Sequence, residues 1–289
     1  MGLTGVIAVS AGMGHSLALR SDGTVWAWGD NEYGQVGNGV ISLEQLTPVQ
    51  VTGLTHVTQI SAGGLFSMAV RSDGTVWAWG YNHFGELGNG TNANSSVPVR
   101  VKGLSQVTRI AQGSNRESSL AASTSSTGVT TVWAWGENTD GELGDGTFNS
   151  QATPEQVTGI NAPGIADLAS GESFSLALGA DGSVWGWGGD NHGELGNGSA
   201  QTVVTRPVLT IRAGSGISRL AVGVNHALAV RSNGTVLAWG DNSSGGLGDG
   251  SRASATGPVQ VTGLTNALQV SAGWGSSYAV YVPQLVALP

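Results

Sequence analysis

Five histidines and a recurring glutamate are the side chains in this 289-residue sequence that could support acid–base or metal chemistry. His15, His56, His83, His192 and His226 stand far apart, with no pair at the i, i+4 spacing that sets two imidazoles on one helix face around a metal. Glu86, Glu142 and Glu194 recur at equivalent places in separate repeats, where a ring of carboxylates could hold a cation at one rim. Gln35 and Gly246 interrupt that ring, and the regular recurrence favours an architectural role. No Cys is present, so no disulfide, thiolate ligand or thiol nucleophile is available. The many Gly-x-Gly steps follow no strand-to-helix pattern and read as turn punctuation, not as phosphate-binding loops. The Asp- and Asn-rich loops match neither the calcium hand nor the nonapeptide calcium repeat. These residues assign no catalytic group, no metal site and no cofactor.

What is left is recognition, and it depends on a repeat that runs the length of the chain. The segment Val25-Trp26-Ala27-Trp28-Gly29 returns around Trp77 and Trp79, Trp133 and Trp135, Trp185 and Trp187, and, with one Trp lost, at Trp239. Its tryptophan–glycine ends recur 51, 56, 52 and 52 residues apart. A second marker, a glycine closing a short apolar run, falls at Gly12, Gly63, Gly113, Gly171, Gly223 and Gly273, which implies six units. The unit boundaries are 1–52, 53–102, 103–158, 159–210, 211–262 and a partial 263–289, all within one domain spanning 1–289.

Within one unit, His56 to Ser61 and Ser67 to Val70 alternate as strands before the turn Ser72-Asp73-Gly74. Asp-Gly between alternating runs marks a hairpin, and it recurs at Asp22-Gly23 and Asp181-Gly182, with Asn233-Gly234 as its equivalent. Thr75 to Trp79 is the third strand, and Val97 to Val101, with its Pro at an edge, the fourth. Four short antiparallel strands repeated every fifty or so residues predict an all-β, closed β-propeller of four-stranded blades, six in number with seven as the alternative. The termini are expected to meet in a seam blade, with Gln284 to Pro289 supplying its third strand.

In each Trp-x-Trp pair the two indoles point to one face of a strand, roughly 7 Å apart. They are expected to fill the space between neighbouring blades as a repeated structural core, with a carbohydrate-stacking wall as the alternative. Positions that every blade needs should repeat in every copy; one position does not, holding His15, Phe66, Arg116, Phe174, His226 and Ser276 in turn. That ring is the expected partner-binding surface. Three longer connections, at Ser123 to Gly128, Gly159 to Gly171 and Thr210 to Ser218, add candidate loop tips; the first is expected to be a flexible, protruding hairpin.

The stretch Val9-Ser10-Ala11-Gly12-Met13-Gly14-His15-Ser16-Leu17-Ala18-Leu19 resembles the signature of the regulator-of-chromosome-condensation repeats. The loop Trp79-Gly80-Tyr81-Asn82-His83-Phe84-Gly85-Glu86-Leu87-Gly88-Asn89-Gly90 is similar to that family's loop, and the two patterns together cover essentially the whole chain. The resemblance implies a propeller of bacterial type, usually with seven blades. It also implies either a guanine-nucleotide exchange factor for a small GTPase or a regulator like the related bacterial propellers that inhibit β-lactamases.

With eleven Lys and Arg against nineteen Asp and Glu, the net charge of −8 argues against nucleic acid or an anionic membrane as a partner. No apolar run approaches the roughly 18 residues of a membrane span. The expected function is a non-catalytic protein–protein interaction module, a monomeric scaffold that presents one propeller face to a protein partner; a lectin or a rim or channel enzyme is the alternative of another class. The compartment is open between secreted, envelope and cytoplasmic.

Overall fold

A computed structural model of the chain describes residues 2–113 and 118–281. Among these there is no helix; twenty-two strands form six antiparallel sheets, five of four strands and one of two. The first sheet holds β1 (Val6–Ala11), β2 (His15–Arg20), β3 (Val25–Asp30) and β4 (Glu44–Gln50), hydrogen-bonded in that order. The second holds β5 (Val57–Ala62), β6 (Phe66–Arg71), β7 (Val76–Gly80) and β8 (Ser95–Arg100). The third is β9 (Val107–Gln112), β10 (Ser118–Thr124), β11 (Thr130–Gly136) and β12 (Gln151–Gln156). The fourth is β13 (Ile165–Ser170), β14 (Phe174–Gly179), β15 (Val184–Asp190) and β16 (Gln201–Ile211). The fifth is β17 (Ile217–Val222), β18 (His226–Arg231), β19 (Val236–Gly240) and β20 (Ala255–Gln260). The last pairs β21 (Ala267–Ala272) with β22 (Ser277–Tyr281). β16 reaches one residue past the expected unit boundary because Ile211 still pairs with Val184.

Each sheet buries a face against the next. Five apolar clusters result, one per neighbouring pair: Leu17, Leu19 and Val25 of the first sheet pack with Trp79 of the second, and Phe66, Met68 and Leu87 of the second with Trp135 of the third. The pattern continues through Trp187, Trp239 and finally Val270. No such cluster among the described residues joins the last sheet to the first. Among the described residues β1 completes its own sheet through β2 and β21 pairs with β22, so closure at the expected seam is not seen within them. Gln284 to Pro289 lie outside the described residues.

Two glycine positions show why the repeat keeps them. In the hairpin turn, Gly23 and Gly74 adopt φ of 78° and 75°, and their carbonyls accept from the backbone N–H of Val57 and Val107, which open the next sheet. A Cβ on Gly74 would lie 2.7 Å from Gln106 N, so the turn also sets how closely consecutive sheets approach. At the marker glycine, a Cβ on Gly12 would lie 2.6 Å from the His15 ring, and one on Gly223 equally close to His226. In four sheets the ring at the start of the second strand, His15, Phe66, Phe174 or His226, lies over that glycine.

The longer connection at Ser123 to Gly128 begins as sheet and ends as an exposed turn at Ser126 to Gly128. Ser123 and Thr124 extend β10 and pair with Thr131 and Thr130, and the turn closes by Ser125 N–H donating to Val129 O at 2.8 Å.

Candidate interaction face and channel mouth

The second Trp of each pair crosses to the preceding sheet, whereas the first stays local. Trp79, Trp135, Trp187 and Trp239 are fully buried, and their Nε1–H groups donate to the backbone carbonyls of Gln35, Glu86, Glu142 and Glu194 at 2.7–2.9 Å. The same carbonyls of Gln35, Glu86 and Glu142 also accept from Ser67, Ser119 and Ser175 Oγ. Trp26, Trp77, Trp133 and Trp185 are half-buried and donate to a hydroxyl of their own hairpin, at Thr24, Thr75, Ser123 and Ser183. Trp28 is half-buried too, and no core cluster among the described residues joins that sheet to the last one.

The glutamate ring is part of this latch. Glu86, Glu142 and Glu194 side chains accept from the backbone N–H of Phe84, Asp140 and His192, and Gln35 Oε1 does the same for Tyr33. Loop Asn82, Asn138 and Asn242 accept from the leucine N–H five residues on and donate to loop carbonyls. These groups hold the loops shut.

The ring expected to bind a partner is largely interior. His15, Phe66, Phe174 and His226 are each at most 2% exposed. They vary among copies because two chemistries fill the same slot: Phe66 and Phe174 fill it apolarly, whereas His15 and His226 donate or accept at Ser67 and Ser277 Oγ of the next sheet, 2.8 and 2.9 Å away. Arg116 lies outside the described residues. The strand register gives its position to Ser118, which pairs with Gly136 as His15 does with Gly29, because the preceding loop is two residues longer. Ser276 is exposed.

Burial pushes His15 down to about 4, against the raising pull of Asp30. A histidine whose folded pKa lies below its unfolded value keeps its full stability above the unfolded value and loses it as pH falls from 6.5 toward 4. His15→Phe, the residue used at Phe66 and Phe174, should therefore flatten the acid limb, retaining about 2 kcal/mol at pH 5 that the parent loses. Chemical denaturation at pH 5 and 7.5 checks this; equal pH sensitivity of the two proteins would refute it.

The exposed chemistry lies beside that ring. In four sheets the loop before the second strand and the loop after the third lie on one face, tied by Asp30 N–H to Gly14 O, Tyr81 N–H to Leu65 O, Gly189 N–H to Ser173 O and Asp241 N–H to Asn225 O. On this face Met13 is 60% and Trp274 80% exposed. Tyr33 and Tyr81 meet edge to face at 5.0 Å, and Tyr81, His83 and Phe84 continue the aromatic row. Sequence reasoning missed these residues, although Trp274 is the one tryptophan outside the Trp-x-Trp pattern and the positions of His83 and Phe84 differ in every copy.

Residues of the innermost strands β1, β5, β9, β13, β17 and β21 and of their following loops line a cavity of about 660 Å³, among them Met13, Ser61, Gln112, Ser170, Val222 and Trp274. Its mouth is laced by Gly64 N–H to Gly113 O, Glu172 N–H to Val224 O and Val224 N–H to Gly273 O. Toward the other end of these strands, Arg109 Nε–H donates to Ala166 O, and Asp167, its pKa raised by burial and lowered by its backbone donors and by Arg109 and Arg219, bridges the third, fourth and fifth sheets. No group of three or more potential metal ligands occurs among the described residues.

Comparison with known proteins places this geometry. The RCC1-like domain model matches residues 2–211, and regulator of chromosome condensation (RCC1) repeat models match 233–280 and 217–245. The human E3 ubiquitin-protein ligase HERC2 is 32% identical over 277 residues, covering 95% of this chain but only 6% of HERC2. Human WBSCR16 has the same fold, with a TM-score of 0.83 at 23% identity over 96% of this chain and 72% of that one. Yeast RCC1 (Prp20), solved bound to Kap60, gives a TM-score of 0.80 at 24% identity over 96% of this chain and 68% of that one. With the RCC1-like domain model over residues 2–211 and RCC1 repeat models within 217–280, the chain belongs to the RCC1-like domain family.

Proposed function

We propose that this chain is a non-catalytic protein-interaction module that uses the face around the channel mouth, with Met13, Trp274 and the Tyr33–Tyr81–His83–Phe84 row as its contacts. The observation that carries the reading is the exposure of Trp274 and Met13 on a rigid rim, since large adaptable or aromatic side chains dominate binding energy at protein interfaces. His15 and His226 bond to a serine of the next sheet, and the side chains of Glu86, Glu142 and Glu194 to their own loops, which supports a structural use of these groups. A protein partner also accords with the family, in which Prp20 was solved bound to Kap60 and studied for binding to Gsp1p and histones.

We read the six units as one domain whose ring closes across the seam between the first and last sheets. Supporting this, residues of all six innermost strands, from Val9 of β1 to Ser271 of β21, line one cavity.

The test is capture of partners from lysate of the source organism by the intact chain and by a Met13→Ala/Trp274→Ser variant of equal melting temperature. Loss of a captured protein by roughly 30-fold or more in the variant is expected, in line with about 2 kcal/mol for one hot-spot side chain. Undiminished capture would move the interface off this face.

A further inference from the structure

We infer that the cavity between the fifth sheet and the last is a receptor site for a tryptophan side chain, carried on an extended segment of a partner protein that pairs with the open edge of β22.

The same seat occurs four times elsewhere in the chain, each time filled. Trp79, Trp135, Trp187 and Trp239 stand on the third strand of one sheet and enter the sheet before it, where a Cβ on Gly37, Gly88, Gly144 or Gly196 would lie 2.6–2.8 Å from the indole. These four glycines are buried. Gly248, their counterpart in the fifth sheet, keeps the same left-handed φ, 63° against 60–74°, yet it is exposed, and among the described residues a Cβ there would meet only Val261. Beside it lies a cavity of about 340 Å³ lined by Leu228, Val236, Leu247, Val261 and Leu264, a volume within the roughly 300–1,000 Å³ range of ligand sites. Their equivalents in the first sheet, Leu17, Val25, Val36, Val51 and Leu54, close around Trp79 and are at most 2% exposed. Val261 and Leu264 are only half-buried, so an indole seated here takes apolar wall out of water as Trp79 does.

Hydrogen bonding favours an indole over a plain hydrocarbon. Gly246 O accepts from Ser277 Oγ at 2.7 Å, as Gln35, Glu86 and Glu142 O accept from Ser67, Ser119 and Ser175 Oγ. In those three sheets the carbonyl's second lone pair takes the Nε1–H of the next sheet's Trp. At Gly246, which lines the cavity, Ser277 is the one donor among the described residues. The strand that would carry the guest also has its partner in place. Each other second strand is hydrogen-bonded along both edges, whereas β22 pairs only with β21 among the described residues. In the filled seats the Trp pairs directly with Ser67, Ser119 or Ser175, so a segment added antiparallel to β22 sets its tryptophan opposite Ser277 and over Gly248.

The experiment uses the full chain and the fluorescein-labelled hexapeptide Thr-Val-Trp-Ala-Trp-Gly, the third-strand sequence of residues 75–80, followed by fluorescence anisotropy. The peptide is expected to bind with a Kd below about 0.5 mM. Replacing its second Trp by Ala should weaken binding at least about tenfold, and replacing its first, whose counterpart Trp77 is half-buried over its own hairpin, less than about threefold. Gly248→Ala, which sets a methyl group where the indole would lie, should abolish binding and melt within about 5 °C of the parent, the cost being that of the left-handed φ. Equal weakening by the two replacements, undiminished binding to Gly248→Ala, or no binding at about 0.5 mM chain would overturn the inference. The two peptide replacements decide it without any variant of the chain. None of these outcomes depends on Met13 or Trp274, so the tryptophan site and the interaction face stand or fall separately.

Discussion

Trp79→Ala should lower the melting temperature by roughly 10 °C, reflecting a loss of about 3–5 kcal/mol for truncating a fully buried Trp in a core that cannot collapse around it. The indole packs among Leu17, Leu19, Val36 and Val51 of the first sheet, and a Cβ on Gly37 would lie 2.6 Å from its Nε1, so nothing larger than glycine shares the site. Its N–H is one of two donors to Gln35 O; Ser67 Oγ remains, so the carbonyl is not orphaned and the loss is chiefly one of packing. Because each sheet buries its face only against its neighbours, the damage should fall on the contact between the first and second sheets, giving a broadened or split transition by calorimetry. Trp77→Ala, which removes a half-buried ring bonded to its own Thr75, is expected to lower the melting temperature far less. Equal melting of the two variants would contradict the division of labour within the pairs.

The second large effect is a pH dependence centred on Glu142. Burial pushes this carboxyl up to about 7; its own and the Asp140 backbone N–H pull it back, while the carboxylates of Asp140 and Glu137 push it higher. Oε1 has no hydrogen-bond partner. A carboxyl whose folded pKa lies above its unfolded value of 4.5 binds its proton more tightly when folded, so stability falls as pH rises through the window from 4.5 to about 7. From this group alone the parent should lose roughly 3 kcal/mol between pH 4 and 8. Glu142→Gln removes that loss and keeps the acceptor for Asp140 N–H, an arrangement the first blade already uses where Gln35 Oε1 accepts from Tyr33 N–H at 3.0 Å. Urea denaturation at pH 5 and pH 8 should show the variant gaining on the parent at pH 8. A parent and variant with parallel pH profiles would mean that Glu142 is solvated in the folded chain.

Much of the architecture was legible because it is local and repeated. Alternating apolar residues, the Asp-Gly turns and the Trp-x-Trp runs each report the state of a few neighbouring residues, and five or six copies in register leave little freedom for another fold. The site was less legible for a physical reason visible in two places. Variation among copies at His15, Phe66, Phe174 and His226 looked like a recognition surface, yet that slot varies because an imidazole bonded to the next sheet's serine and a phenyl ring without such a bond fill the same buried space. At Arg116, spacing alone could not register a loop two residues longer, and only strand pairing passes the position to Ser118.

The sequence by itself determined the repeat, the strand-turn-strand order of each blade, the acidic balance and the absence of a thiol, since each is written in residue types and short spacings. Only the tertiary structure decided which tryptophan of a pair crosses to the neighbouring sheet, and which variable positions face solvent. Burial and pairing across sheets depend on residues some fifty positions apart meeting in space, and no local pattern encodes which of their side chains remain free.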